Sequence, residues 1–192
     1  ITFPHSLGMY YTAITQYLGF LHYGDEYKVM GLAAYGEPEY QDEFEKIVFN
    51  RGNLGFKLDL NYFLHHKKLV DMNFEEGYPY LELLYSPFLE ERLGPHREES
   101  DPIERRHKNI AASLQKRLEE IIFSQLNSLY EIYVRNERHR IHKLCMAGGV
   151  AFNCVVNGKI FDYTAFRDIY IPPAAGDAGL AIGAAYYLWH QL

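Results

Sequence analysis

Two stretches, Lys143-Leu144-Cys145-Met146-Ala147-Gly148-Gly149-Val150 and Asp168-Ile169-Tyr170-Ile171-Pro172-Pro173-Ala174-Ala175-Gly176-Asp177, decide the fold class. Each begins as a short apolar run and ends in small residues. Lys143–Ala147 reads as a strand, Gly148-Gly149 as a turn, and Val150 to Lys159 as a helix. Asp168–Ile171 reads as a second strand, stopped by Pro172-Pro173, with a final helix over Ala178–Gln191. The order strand, helix, strand, helix implies an α/β chain with a parallel pair and right-handed crossovers. Loops at the carboxyl ends of parallel strands line the ligand crevice. If these two strands are neighbours, both glycine segments lie on one edge.

Each segment has two readings. Gly148-Gly149 lacks side chains, so a ligand can approach the backbone closely. The following helix would aim free amides and its positive end at the same place, with Asn153 near its first turn as donor and acceptor. It is equally a plain turn into a helix. Asp177 is either the cap of the last helix or a hard carboxylate oxygen for a metal or a metal-bound phosphate. Gly179 and Gly183 fall on one face and permit close packing.

Upstream, Ser6 to Phe20 carries apolar residues at helical spacing, with Ser6 as N-cap and Gly19 near the end. Gly24-Asp25-Glu26-Tyr27-Lys28-Val29-Met30-Gly31 places charged residues between two glycines, with a short helix over Glu26–Ala34. That is either a crevice wall, with a carboxylate for ribose hydroxyls and a lysine for phosphate, or an exposed turn with a local ion pair. Glu39–Lys46 reads as a surface helix with Phe44, Ile47 and Val48 inward. Phe56, Leu58 and Leu60 alternate as a half-buried strand. His65-His66 reads as a polar loop, since adjacent strand residues cannot face one metal. Asn73–Asp101, broken by prolines, reads as an irregular surface insertion or a lid. His107–Tyr133 is the longest helix, with an apolar stripe and Lys116, Arg117, Glu119 and Glu120 outside.

Composition narrows the class. The chain has 192 residues, 48% apolar and 23% charged, as in a globular protein. Its net charge of −6 argues against a broad nucleic-acid surface. The basic run Arg135–Lys143 reads as a solvated loop. Seventeen tyrosines point to a partly polar core or wet clefts, unless they reflect compositional drift. Cys145 and Cys154 form neither a disulfide framework nor a metal pattern, which fits a reducing, cytoplasmic compartment. No apolar run reaches the roughly 18 residues of a membrane span. The opening Ile1-Thr2-Phe3-Pro4 reads as the interior of a longer chain.

In combination and in order, several segments resemble the NodU/CmcH/TobZ-type carbamoyltransferases. They are Ser6-Leu7-Gly8 through Gln16-Tyr17-Leu18-Gly19-Phe20, Gly24 through Ala33, Tyr35-Gly36-Glu37-Pro38, Gly148-Gly149-Val150-Ala151-Phe152-Asn153 and Pro172 through Gly179. The resemblance implies the second half of an actin-like ATPase (ribonuclease H-like) domain, 1–192 as one partial domain, with a mainly irregular or helical insertion at about 50–105. It also implies kinship with the protein that makes threonylcarbamoyladenosine in tRNA. In that relative a Gly-Gly-Val-Ala-x-Asn motif holds adenosine, and an aspartate before the last helix binds metal. By this likeness Gly148, Gly149 and Asn153 bind the nucleotide, and Asp177 is the catalytic metal ligand. Gly8, Thr12, Gly24, Asp25, Glu26 and Lys28 would lie along the nucleotide; the tRNA protein has an aspartate where Thr12 stands. The cofactors implied are ATP or carbamoyl-adenylate and a divalent metal, iron(II). The family's upstream His-x-x-x-His pair does not occur here, and its YrdC-like domain has no counterpart.

The implied activity is transfer of a carbamoyl group from carbamoyl-adenylate, made from carbamoyl phosphate and ATP, to a hydroxyl of a sugar or antibiotic-like acceptor. The partners implied are those small molecules, the missing N-terminal half and the YrdC-like domain, with no nucleic acid and no membrane. The fragment alone is expected to be inactive. A sugar or acid kinase on the same fold is the first rival, and a YrdC-like extension in the full gene would separate the two. A non-catalytic nucleotide-binding or interaction module is the second; as a mere scaffold it would show no nucleotide affinity.

Overall fold

The structure is a computed structural model that describes residues 1–52, 54–68, 70–75, 77–134 and 142–192. The basic run Arg135–Lys143 falls largely outside the described residues. The chain forms two compact units, Ile1–Ser124 and Gln125–Leu192.

In the first unit, helix α1 (Leu7–Tyr17) begins where the Ser6 hydroxyl accepts the Met9 amide at 3.3 Å. It ends at Gly19, whose φ of +78° is the left-handed conformation expected there. Helices α2 (Glu26–Ala33) and α3 (Gln41–Ile47) follow, the latter with Phe44, Ile47 and the adjacent Val48 fully buried, as their spacing predicts. Strands β1 (Val48–Gly52) and β2 (Gly55–Leu58) pair antiparallel, with Phe56 and Leu58 inward. Leu60 departs from the expected alternation, because the Asp59 carboxylate accepts the Asn61 amide and starts a 3-10 turn.

The stretch after it is more ordered than expected. Strands β3 (Met72–Glu75) and β4 (Tyr78–Leu81) form a two-stranded hairpin, and helix α4 (Pro87–Leu93) starts on its proline. Neither proline breaks an element. Pro79 sits in one strand of a two-stranded pair, and Pro87 supplies a first-turn residue whose amide would lack a partner anyway. The Gln16 side chain pins the following segment, donating to the Leu81 and Glu82 carbonyls (both 3.1 Å) and accepting the Leu84 amide (2.8 Å). Gln16→Ala strands these buried groups and should lower stability by about 2–3 kcal/mol, read from urea melts.

Helix α5 (Arg105–Leu129) carries the long apolar stripe and continues into a wider turn over Tyr130–Val134. Two of its charged residues are not outside. Glu119 is 6% exposed and accepts from Gln115, while the Arg117 guanidinium donates twice to the Val48 carbonyl, at 2.8 and 2.7 Å. Both are satisfied by hydrogen bonds, which periodicity does not report. His65 is likewise no solvated loop residue. It is 4% exposed, packs edge-on against Phe3 and Phe63, and shares a 2.8 Å hydrogen bond with the Pro4 carbonyl. The tyrosines do build a polar core: Tyr10, Tyr11, Tyr17 and Tyr62 are buried with hydrogen-bonded hydroxyls.

Several histidines make the fold acid-sensitive. His5 accepts the Leu58 amide at Nδ1, and His107 accepts that of Glu104, so protonating either nitrogen breaks a bond. Burial first, then nearby cations, holds His5, His66 and His107 below their usual value. The unfolded chain therefore takes up these protons first as pH falls. The stability they contribute is present above about pH 6.5 and is lost as pH falls through their depressed values. His96 runs the other way: although burial opposes its charge, Glu90 and Glu98 hold it above the usual value. Its contribution is lost as pH rises through that raised value. For the three depressed histidines the sign is a urea midpoint that falls between about pH 7 and about pH 5.

The second unit holds strand β5 (Lys143–Cys145), helix α6 (Cys154–Tyr163), strand β6 (Asp168–Tyr170) and helix α7 (Leu180–Trp189). β5 and β6 pair in parallel, Leu144 opposite Ile169, as the sequence predicts. Leu144, Ala151, Val156, Ile160 and Phe166 are buried. Among the described residues no helix is long and apolar enough to cross a membrane, and neither Cys145 nor Cys154 is in a disulfide.

Candidate functional site

The parallel pairing brings the two glycine loops together. After β5, the Met146 amide donates to the Tyr170 carbonyl at 3.0 Å, carrying the pairing one residue further. The Gly148 amide then donates to the Ala175 carbonyl at 2.7 Å, which ties one loop directly to the other. Gly148 has φ +103°, a conformation that side-chain-bearing residues rarely adopt, so a glycine is required at this link. A second tie runs from Phe152 to Gly176. A Cβ on Gly176 would sit 3.0 Å from the Phe152 ring, so the ring covers bare backbone. Ala175 and Phe152 stand within the quoted segments but received no site role there, because a backbone carbonyl has no residue signature and a lone phenylalanine announces no partner.

The helix after Gly148-Gly149 starts later than expected. Gly149–Phe152 forms a 3-10 turn, and α6 begins at Cys154. Asn153, 9% exposed, caps it: its Oδ1 accepts the Val156 amide at 2.9 Å. The side-chain oxygen is thereby committed to the helix end. Gly149 has open space on its Cβ side, with no atom within 4 Å.

Asp177 opens a 3-10 turn, Asp177–Gly179, that leads into α7. Its side chain caps neither element, since Gly176 and Gly179 occupy the cap positions without side-chain bonds. The carboxylate is exposed, and no described residue engages it by hydrogen bond or ion pair. A Cβ on Gly179 would meet the Ala174 carbonyl oxygen at 2.1 Å, the close approach its position predicts. Gly183 has no such neighbour and does not share that role.

In the first unit, Gly24 (φ +96°) turns the chain into α2, and Asp25 stands at the head of that helix. Asp25 is 6% exposed, and its carboxylate takes the Lys28 ammonium at 2.7 Å, with His22 Nδ1 at 3.7 Å. That bond raises the Lys28 value above that of an ordinary lysine. The Lys28 ammonium also lies 5.9 Å from the Phe20 ring centre. Glu26 accepts the Thr12 hydroxyl at 2.5 Å, joining α2 to α1. Gly8 lies one turn before Thr12, at the spacing that places both on one helix face. Thus these four residues form two pairs, Asp25 with Lys28 and Thr12 with Glu26. His22 is the partner that sequence reading missed, lying three residues before Asp25 across a glycine turn.

Among the described residues no three His, Cys, Asp or Glu side chains come together in a way that could hold a metal ion. Asp177 offers a carboxylate without companions, so these residues do not make a coordination set.

Comparison with known proteins fixes the family. The family model described as "Carbamoyltransferase N-terminus" matches residues 1–186. The chain belongs to the carbamoyltransferase N-terminus family. It is 40% identical over its whole length to the uncharacterized protein sll1178 of Synechocystis sp., of which it covers 28%. It is 36% identical to the nodulation protein NolNO of Sinorhizobium fredii and 33% to the nodulation protein NolO of Bradyrhizobium diazoefficiens, again over all of this chain. It covers 24% and 30% of those two proteins, so it spans about a quarter of the length of these relatives. The mixed α/β architecture agrees with the fold class read from the sequence at that level.

Proposed function

We propose that this chain is the part of an O-carbamoyltransferase that holds carbamoyl-adenylate. The adenylate is made from carbamoyl phosphate and ATP by a YrdC-like domain elsewhere in a longer polypeptide. The acceptor is a hydroxyl of a sugar or antibiotic-like molecule. Its oxygen attacks the carbamoyl carbon and forms a C–O bond, the bond from that carbon to the phosphate oxygen breaks with its electrons leaving on AMP, and the hydroxyl proton is released to solvent. The actin-like fold is part of the same proposal.

The observation that carries this reading is the bond from the Gly148 amide to the Ala175 carbonyl. It sets an open glycine backbone beside the loop that carries an unengaged carboxylate, at the carboxyl ends of parallel strands, where α/β proteins bind nucleotides. Gly148 and Gly149 would let the adenylate lie against the backbone, and Asn153 fixes the loop by capping α6. In the first unit, Gly8, Thr12, Gly24, Asp25, Glu26 and Lys28 are assigned to nucleotide binding by the family likeness alone, and the bond from Thr12 to Glu26 joins α1 to α2. A divalent metal, iron(II), would act as a Lewis acid in the whole protein. Among the described residues this chain offers it the Asp177 carboxylate alone.

Gly149→Ala tests the glycine contact. The added methyl group meets nothing within the fold, so the melting temperature should stay unchanged. In the longer protein, affinity for AMP should fall about tenfold, or about 1.4 kcal/mol. Unchanged AMP affinity, measured by titration calorimetry, would count against the loop as the nucleotide cradle.

A further inference from the structure

Helix α7 is an apolar element without a cover. Leu180, Ile182, Tyr186, Tyr187, Leu188 and Trp189 are each between 55% and 74% exposed, and no residue from Leu180 to Leu192 is buried. The small side chains of Ala181 and Ala185 lie in a trough flanked by Ile182, Tyr186 and Trp189. From Ala178 to Leu192 there is no Asp, Glu, Lys or Arg. Scattered apolar residues on a surface are ordinary; a whole helix of them, contiguous and uncharged, marks an interface.

We infer that α7 is a docking helix covered in cis by further polypeptide of the longer protein, not by a second copy or a transient partner. Three observations choose that occupant. The chain accounts for only 24–30% of the relatives named above, so most of such a polypeptide lies elsewhere. The sheet beside this helix in sequence, β5 with β6, has two strands of three residues each, with Cys145, Tyr170, Lys143 and Asp168 all exposed. Parallel sheets occur with both faces covered, so this pair is an incomplete layer that more of the same architecture would extend. Lastly, the helix lacks charge altogether. Transient interfaces keep polar rims, and helices that lie on membranes carry lysine and arginine on one face. An uncharged helix is suited to permanent burial. At ten residues α7 is also too short to span a bilayer. Because the turn Asp177–Gly179 runs straight into α7, whatever seats the helix also fixes the Asp177 backbone. The inference does not depend on which reaction the protein performs.

The test is maleimide labelling of a single cysteine, Ile182→Cys or Leu188→Cys, with Cys145 and Cys154 changed to serine. Rates are taken in the 192-residue chain, in the longer protein, and in each after unfolding in urea. In the chain alone, labelling is expected to approach the unfolded rate. In the native longer protein it should be slower by about a hundredfold or more, at every protein concentration, and rise to the unfolded rate in urea. Fast labelling in the native longer protein overturns the inference. Protection already present in the 192-residue chain, and lost on dilution, assigns the face to a second copy and overturns it as well.

Discussion

Replacing Asp177 by asparagine in the longer protein should cut carbamoyl transfer by about 10²- to 10³-fold while leaving the melting temperature unchanged. Asparagine matches aspartate in shape and caps helices as well. A residue that mattered only as a cap would therefore tolerate the change. In this fold the Asp177 side chain makes no cap bond, and no described residue engages it. Little stability is at stake, and the negative charge is what is lost. Formation of the adenylate, followed as exchange of pyrophosphate into ATP in the presence of carbamoyl phosphate, should persist. The comparison uses whichever hydroxyl acceptor the unmodified protein carbamoylates. Full transfer by the asparagine variant would remove Asp177 from the reaction.

The largest effect on stability is expected at Gly36. A Cβ there would lie 2.1 Å from the Lys108 carbonyl oxygen and 2.2 Å from its carbon. Both are backbone atoms of α5 and cannot swing aside as a side chain would. The loop is held on that helix by the Glu37 amide, which donates to Asn109 Oδ1 at 2.9 Å, and by the Tyr40 amide, which donates to Ser113 Oγ at 3.0 Å. Relieving the overlap means surrendering these bonds. Gly36→Ala should therefore cost about 3 kcal/mol or more. Gly31→Ala is the control. That glycine is inside α2, with nothing within 4 Å of its Cβ position. Alanine there should stabilise by roughly 0.5–1 kcal/mol through helix propensity. Opposite shifts of the urea midpoint check both; a harmless Gly36→Ala would mean the loop does not press on α5.

What could be read beforehand divides along physical lines. Local signals were dependable. Ser6 and Gly19 bracket α1, Pro172-Pro173 stop β6, and the two apolar runs pair in parallel as their order requires. Non-local satisfaction was not legible. Glu119, Arg117 and His65 carry the residue types of a surface, yet they are held inside or against the core by partners distant in sequence or by bonds along the helix. The β3–β4 hairpin was hidden because Pro79 reads as a breaker, whereas a two-stranded pair has room for a residue without an amide proton. At the site, the glycine loops were legible as types, but their contact was not. That contact is a bond from the Gly148 amide to the Ala175 carbonyl, and any residue supplies a carbonyl. Asn153 shows the converse. Its type suited a ligand contact, and the structure adds a helix-cap role, its oxygen accepting the Val156 amide at the start of α6.

Hydrogen exchange on the longer protein, with and without saturating AMP, tests the central claim most directly, since it needs no knowledge of the acceptor. The account predicts that AMP slows exchange in peptides covering Ala147–Asn153 and Ala175–Gly179, the two loops joined at Gly148 and Ala175. Bound AMP, shown by calorimetry, with exchange unchanged in both peptides would contradict it.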